Sequence, residues 1–499
     1  MEIMTKEKLN EYEKLFEERK QAILNAKDEY EITGTTYYVS IDGDDDNDGL
    51  TPETAWKTAE RVNRMWLKPG DGVLFKRGDL FRGYKFMAQA GVTYGAYGEG
   101  EKPKFYGWTE NLADASLWEE YDKEKHIWKY KKLTPDTGTI VFNDGEKVSR
   151  KLIPSYKNLQ FVCREDETKP FVMRDEMTED LDLFWYFEET LTRKPSKGED
   201  FPVPDLRSEA YGEVYVRCDK GNPGAVFNSI ELIPKGTAIQ CKVNRDVTIK
   251  NLCIKYYCFG ITGKDTITNL KITNCEIGWI GGNIMMYLGT DPNYPQGGRG
   301  SVTRYGNAIE IYGGCVNFTA SDNYIYQVYD AGITHQVNTT TKRVMTGIRY
   351  TGNVLEKCVY AIEYFLDQIN GESESYMDDI VMSDNFIRLS GYGWGQQRHN
   401  YYEPAHIKGW SYVNTASNYA IRNNIFDRAS YRMLHLVAKK DEYCPEMDGN
   451  TYIQYNGQMI GQWGGNEIKE PEIEIFDEKA EEKINNIFGD KTAKVYVIK

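Results

Sequence analysis

Asn251-Leu-Cys-Ile, Asn274-Cys-Glu-Ile, Asn323-Tyr-Ile-Tyr, Asn353-Val-Leu-Glu, Asn385-Phe-Ile-Arg and Asn424-Ile-Phe-Asp are six returns of one phrase within residues 246–437. Each is an Asn followed by three mostly apolar residues, and about ten residues after most of them comes a second strand-like triplet. No helical period fits the set. Spacings of 23, 49, 30, 32 and 39 residues suit one solenoid coil each, with loops of variable length and a Gly-rich insertion in the longest. The pattern predicts a parallel β-helix.

Setting the phrases in register yields columns. Ile261, Ile309, Ile333, Ile362, Trp394 and Met433 form an apolar one; Gly260, Ala308, Gly332, Ala361, Gly393 and Arg432 precede it; Thr262, Glu310, Thr334, Glu363, Gly395 and Leu434 follow it. Successive strand side chains alternate between faces, so the apolar column should fill the interior and its two neighbours should face outward. The expected outer surface is a shallow groove with a floor of small residues and carboxylates on its wall.

The 499 residues are too many for one compact core and ordinary for a solenoid carrying an inserted domain. A net charge of -15 argues against nucleic-acid binding, which needs the opposite sign, and favours a neutral partner. The 37 Tyr and 10 Trp supply rings for sheet surface or for stacking on sugars. Cys253, Cys258, Cys275, Cys315 and Cys358 fall within the repeats, where small thiols stack easily, and no CxxC pair suggests zinc. The first residues lack the character of a secretory signal, and no 18-residue apolar run offers a membrane span. These features point to the cytoplasm of a bacterium.

Five segments follow. Residues 1–34 hold an amphipathic helix with Leu9, Tyr12, Leu15, Phe16, Ile23 and Leu24 at three- and four-residue spacings, expected to cap or brace the solenoid. A dimer-forming role for this helix would make the protein a homo-oligomer. Residues 35–100 read as the first coils, with a loop, Asp42-Gly-Asp-Asp-Asp-Asn-Asp-Gly49, whose carboxylates make calcium a candidate cofactor. Asp, Asn and Gly clusters are equally ordinary turn chemistry, and no other cofactor or metal is expected. Residues 101–230 break the repeat with alternating runs typical of a β-rich, sandwich-like insertion. Residues 231–465 carry the main β-helix, and 466–499 a C-terminal cap.

Glu310 and Glu363 stand two coils apart in one column, roughly 9.6 Å at the backbone, with Thr334 between them. Paired carboxyl groups at such a distance suit glycoside hydrolysis, one protonated to donate to the leaving oxygen and one ionised to act on water or carbon. Asp330 opens the intervening strand and joins them as the third catalytic candidate. A lone outward carboxylate is usually just a solvated charge; three beside one groove are a site hypothesis. His335, Tyr364, Asp367, Trp394, Arg398 and His406, with His399, are the candidate substrate-binding residues around them.

The layout resembles the right-handed parallel β-helix enzymes that act on carbohydrates, the pectin-lyase-like superfamily. Within it, an early coil, an inserted β-sandwich and further coils are similar to the β-helical β-xylosidases of glycoside hydrolase family 120. That resemblance implies acidic catalytic residues on the outer face of adjacent coils, drawn here from Glu310, Asp330 and Glu363. The polygalacturonase relatives carry Asn-Thr-Asp where this chain has Asn307-Ala-Ile-Glu310, which counts against pectin hydrolysis. The alternatives are a polysaccharide lyase or uronate epimerase, using Arg349, Arg398, Lys408 or His335, and a noncatalytic carbohydrate-binding solenoid.

Overall fold

The computed structural model describes residues 1–152, 177, 180–181, 183–188, 192–193, 203–204, 211–242, 245–288, 301–368, 374–398, 403–410 and 415–499. Its organising feature is a ladder of buried asparagines. The side-chain oxygen of Asn353 accepts from the backbone N–H (3.0 Å) and amide (3.1 Å) of Asn323, and Asn385, Asn424 and Asn450 repeat the arrangement. Each amide also donates to a backbone carbonyl of the preceding coil, such as Asn385 to Tyr350 (2.9 Å). Every polar atom of these side chains is thus used in a place without water. Asp490 closes the ladder by accepting from Gly449, Asn450 and Tyr452.

The strand register places Asn251 and Asn274 one position earlier than the ladder, in line with Asp322, Gly352, Asp384, Asn423 and Gly449. All seven have positive φ. Asn, Asp and Gly tolerate that left-handed corner best. The six-phrase pattern therefore merges two neighbouring columns, because a left-handed corner and a buried ladder both select Asn. At the ladder position the second coil holds Cys275, whose N–H donates to the Asn323 side chain (2.9 Å).

Each coil has three faces. A short face includes Cys253–Tyr257, Glu276–Ile280, Tyr324–Val328, Val354–Glu356, Phe386–Arg388 and Ile425–Asp427 within an 11-stranded sheet. The site face follows with Phe86–Met87, Thr237–Lys242, Ala331–Thr339, Tyr360–Gln368, Ala405–Gly409, Arg432–Ala438 and Met459–Gly465. The back face includes Gly72–Lys76, Thr93–Tyr97, Val344–Thr351, Tyr376–Ser383 and Ala416–Arg422. Phe259–Thr273 and Ile309–Ser321 run through site and back faces, joining them into one 18-stranded sheet. Ile261, Ile309, Ile333, Ile362, Ile407 and Leu434 form one column inside, within a continuous apolar core.

The small-residue column does not floor an outer groove. A Cβ at Gly332 would meet the side chains of Leu355 and Cys358, and one at Gly260 that of Ile277, while Ala308 and Ala361 belong to the core. The chain bends where the short face turns into the site face. Two successive residues point inward there, so only a small one fits at the corner.

Residues 6–24 form the expected amphipathic helix, capped by Thr5, whose hydroxyl accepts from the Lys8 N–H (3.1 Å). It lies along the short face rather than over an open end: Phe16 and Ile23 pack with Tyr324, Val354, Phe386, Ile425 and Ile453. Glu13 adds ion pairs to Arg388 (2.5 Å) and Arg428 (2.6 Å). Ahead of it Glu2–Ile3 pairs with Lys494–Ile498, covering the last edge of that sheet. The insertion begins after Lys104–Tyr106, a solenoid strand, and ends with Ile230–Pro234, which pairs with Thr137–Phe142. Of its described strands, all but the short pair Thr192–Arg193 and Val203–Pro204 form a six-stranded and a three-stranded sheet around a core including Trp118, Tyr130, Ile140, Phe142, Val214, Val216 and Leu232. Two sheets sharing one core make a sandwich.

Asn385→Ala should lower unfolding free energy by roughly 3–5 kcal/mol, since it strands buried groups of Asn353, Asn424 and Tyr350. Denaturant unfolding measures this; a loss below about 1 kcal/mol would show that the ladder is dispensable.

Candidate active site

The outward column of the site face reads Thr262, Glu310, Thr334, Glu363, Lys408, His435, Gln462. Glu310 and Glu363 therefore stack as expected, two rungs apart on one wall. Beyond Glu363 the column continues with Lys408 and His435, not with Gly395 and Leu434. Residues 391–404 are additional chain between Phe386–Arg388 and Ala405–Gly409, so the interior position of that coil belongs to Ile407 and not to Trp394. The signal was present in the sequence, since His406-Ile-Lys408 repeats the form of Ala361-Ile-Glu363.

Asp330 sits at the turn into the middle rung, between the two glutamates along the stack. The three carboxyl groups keep 6% (Glu310), 6% (Asp330) and 5% (Glu363) exposure, so they are nearly dry but reachable. Glu310 accepts from the Asn307 amide (2.5 Å) and lies 3.5 Å from that of Gln336. The Asn307 side chain also accepts from Ala331 N–H (2.9 Å), which locks the amide towards Glu310. Asp330 is paired with the Arg398 guanidinium, which lies 5.2 Å from the Tyr360 ring. Glu363 accepts from the Trp410 indole N–H (2.7 Å), and that indole is covered by the Lys408 ammonium at 4.3 Å.

Burial raises the proton affinity of all three. For Glu310 the Asn307 amide opposes the rise, and for Asp330 the Arg398 charge does. Glu363 is pushed up to about 8, first by burial and then by the charge on Asp330. Burial works against the charge on Arg398, but Asp330 together with Tyr360, Tyr329 and Glu363 more than offsets it and holds the guanidinium protonated. An ionised Asp330 beside a protonated Glu363 is the pairing of carboxylate and carboxylic acid that acid–base chemistry needs. Thr334, between the glutamates, has a buried hydroxyl with no partner among the described residues. Farther along, Glu403 bridges Lys408 (2.9 Å) and Arg432 (2.7 Å).

Of the expected substrate contacts, Arg398 joins the cluster. Asp367 lies on the strand of Glu363, four residues on, partly exposed and beside Asn338. His335 and Tyr364 do not reach the groove. They stack inside the solenoid with ring centres 5.7 Å apart, and His335 Nδ1 lies 2.9 Å from the Tyr350 hydroxyl. Alternation puts them there, because each follows an outward residue. His406 is also interior, stacked on Phe426 and bonded to Ser390 (2.8 Å). Burial drops both histidines to about 3, leaving them neutral. Trp394 packs against Tyr329 and donates its indole N–H to the Gln327 carbonyl (2.8 Å), away from both core column and groove. His399 lies outside the described residues.

His335 is thereby removed as a lyase base. Arg349 is removed as well, since it stands on the back face and is tied to Asp379. The acidic loop at 42–49 uses its carboxylates on turns: Asp45 accepts from the N–H groups of Lys57 and Thr58 (both 2.9 Å), and Asp48 from Leu50 N–H (3.0 Å). Among the described residues no group of three or more His, Cys, Asp or Glu is placed to hold a metal ion.

No protein family's profile matches the chain. Over 122 residues, 22% of this chain, it is 32% identical to a lacto-N-biosidase of Bifidobacterium longum subsp. longum, and the match spans 8% of that protein. A GH136 lacto-N-biosidase from Eubacterium ramulus aligns with 99% of this chain and 70% of its own, at 13% identity and TM-score 0.34. XylC in complex with xylose aligns with 93% of this chain and 83% of its own (10% identity, TM-score 0.36). A family 28 exopolygalacturonase of Yersinia enterocolitica aligns with 93% and 71% (12%, 0.32). None of these likenesses is near enough to transfer a site, and the parallel β-helix stands on the strand register of this chain itself.

The carboxyl stretch of Glu363 in infrared difference spectra should persist at pH 7 and vanish as pH rises through about 8, with the Glu363→Gln variant lacking it. A carboxyl raised in the folded state holds its proton while the unfolded chain has lost it, so its contribution to stability falls between about 4.5 and about 8. A signal lost by pH 5 would contradict the assignment.

Proposed function

We propose that the protein is a glycoside hydrolase that cleaves short oligosaccharides on the outer face of its β-helix. The observation that carries this is Glu363, a carboxyl with its proton affinity raised to about 8, beside Asp330, a carboxylate paired with Arg398. In the cleavage step Glu363 gives its proton to the glycosidic oxygen as the bond from that oxygen to the anomeric carbon breaks. Asp330 acts on water or on the anomeric carbon from the neighbouring rung, and the oxocarbenium-like charge develops between ionised and amide-held carboxyls. Glu310, fixed by Asn307 and Gln336, completes the acidic wall.

Burial makes the arrangement effective. A nearly dry carboxyl keeps its proton at neutral pH, and each charge acts more strongly than it would in water. The reading calls for no cofactor. It is supported in kind by the names of the relatives, which include lacto-N-biosidases and an exopolygalacturonase. The eight described cysteines are buried free thiols, which suits the reducing cytoplasm of a bacterium. Among the described residues no helix is long and apolar enough to cross a membrane.

Incubation with a panel of aryl glycosides and neutral oligosaccharides should release reducing sugar. Glu363→Gln and Asp330→Asn should each lower kcat by about 10²–10⁴-fold. A product with new ultraviolet absorbance would instead mark a lyase, and full activity in both variants would remove the carboxyls from the chemistry.

A further inference from the structure

We propose that the acidic site is the inner part of a longer oligosaccharide track whose far end is a sugar-stacking platform at Trp66. The inference rests on the glycosidase reading and extends it to chain length. The column of Glu310 continues towards the first coil without a break, through Thr262 and Gln240 to Met87. At about 4.8 Å per rung Met87 stands about 14 Å from Glu310 at the backbone, a span that several sugar units are needed to cover. Met87 is 47% exposed, and Tyr312, two residues beyond Glu310 on the same side, is 38% exposed. Lys264 and Lys242 continue the Tyr312 row towards the first coil, both exposed. Between Glu310 and Met87 the column is polar, with Thr262 buried and Gln240 partly exposed, and Tyr312 supplies an open ring beside it.

Trp66 lies at the end of this strip and is 86% exposed. Its backbone is nevertheless clasped to the edge strand on both sides. The Asn63 amide donates to the Lys85 carbonyl (3.0 Å) and its oxygen accepts from Met87 N–H (2.9 Å). The Gln89 amide donates to the Met65 carbonyl (2.8 Å) and its oxygen accepts from Leu67 N–H (3.1 Å). Met65 and Leu67, on either side, turn into the solenoid core. The indole is thus an exposed ring on a fixed base, which loses little freedom when a ligand lands on it. A flat aromatic face of that kind suits the apolar C–H face of a neutral sugar ring.

The test compares kcat/KM for a hexasaccharide and a disaccharide of the same linkage, in wild type, Trp66→Ala and Trp66→Phe. Because the side chain is solvent-exposed, the substitutions leave the fold intact, and circular dichroism checks this. The account predicts that Trp66→Ala lowers the hexasaccharide-to-disaccharide ratio about three- to tenfold and that Trp66→Phe restores most of it. An unchanged ratio in Trp66→Ala, with both substrates still cleaved, would overturn the platform and leave the hydrolase standing. If wild type cleaves neither substrate nor any glycoside of the panel, the hydrolase reading falls and takes the platform with it.

Discussion

The asparagine ladder is the constraint on which the rest of the structure depends. A parallel β-helix has no local turn that sets its register, because each strand pairs with one a full coil away in sequence. A slip of one residue would exchange interior and exterior side chains along a whole coil. From Asn323 to Asn450 each buried amide bonds to the next coil through both backbone and side chain, so a slip leaves polar atoms stranded without water. Asp490 completes the last step with a carboxylate where another coil would have placed an amide. Because register is fixed there, Ile309, Ile333 and Ile362 stack inside, and Glu310, Thr334 and Glu363 stack outside.

The electrostatics of the site follow from that stacking. Three carboxyl groups on adjacent rungs, with the Arg398 guanidinium bonded to Asp330, cannot all be ionised cheaply in a nearly dry groove. Arg398 stabilises the charge on Asp330, and that charge makes ionisation of Glu363 more costly still. The Trp410 indole fixes one oxygen of Glu363, so the proton stays on a carboxyl whose orientation is set. Lys408 comes next in the column but is drawn towards Glu403, so it only partly offsets the excess of acid.

Much of this was legible in the sequence, and its failures have specific causes. Asn323, Asn353, Asn385 and Asn424 mark the ladder correctly because a buried position that bonds in two directions admits little else. Asn251 and Asn274 fall one place away because a left-handed corner also favours Asn. The Ile-Glu and Ile-Thr pairs of three consecutive rungs could be read directly. The next rung could not be found by counting, since residues 391–404 displace it. The residue types of His335 and Tyr364 suggest groove contacts, although alternation alone puts both inside. The pairing of Asp330 with Arg398 bridges 68 residues through an irregular segment, and no periodicity encodes it.

The most direct test of the central claim is a crystal structure of the Glu363→Gln variant with an intact oligosaccharide bound. The account predicts a glycosidic oxygen within hydrogen-bond reach of the amide that replaces the Glu363 carboxyl, and the anomeric carbon facing Asp330. A sugar seated on another face of the solenoid, or with its scissile bond remote from both side chains, would contradict it.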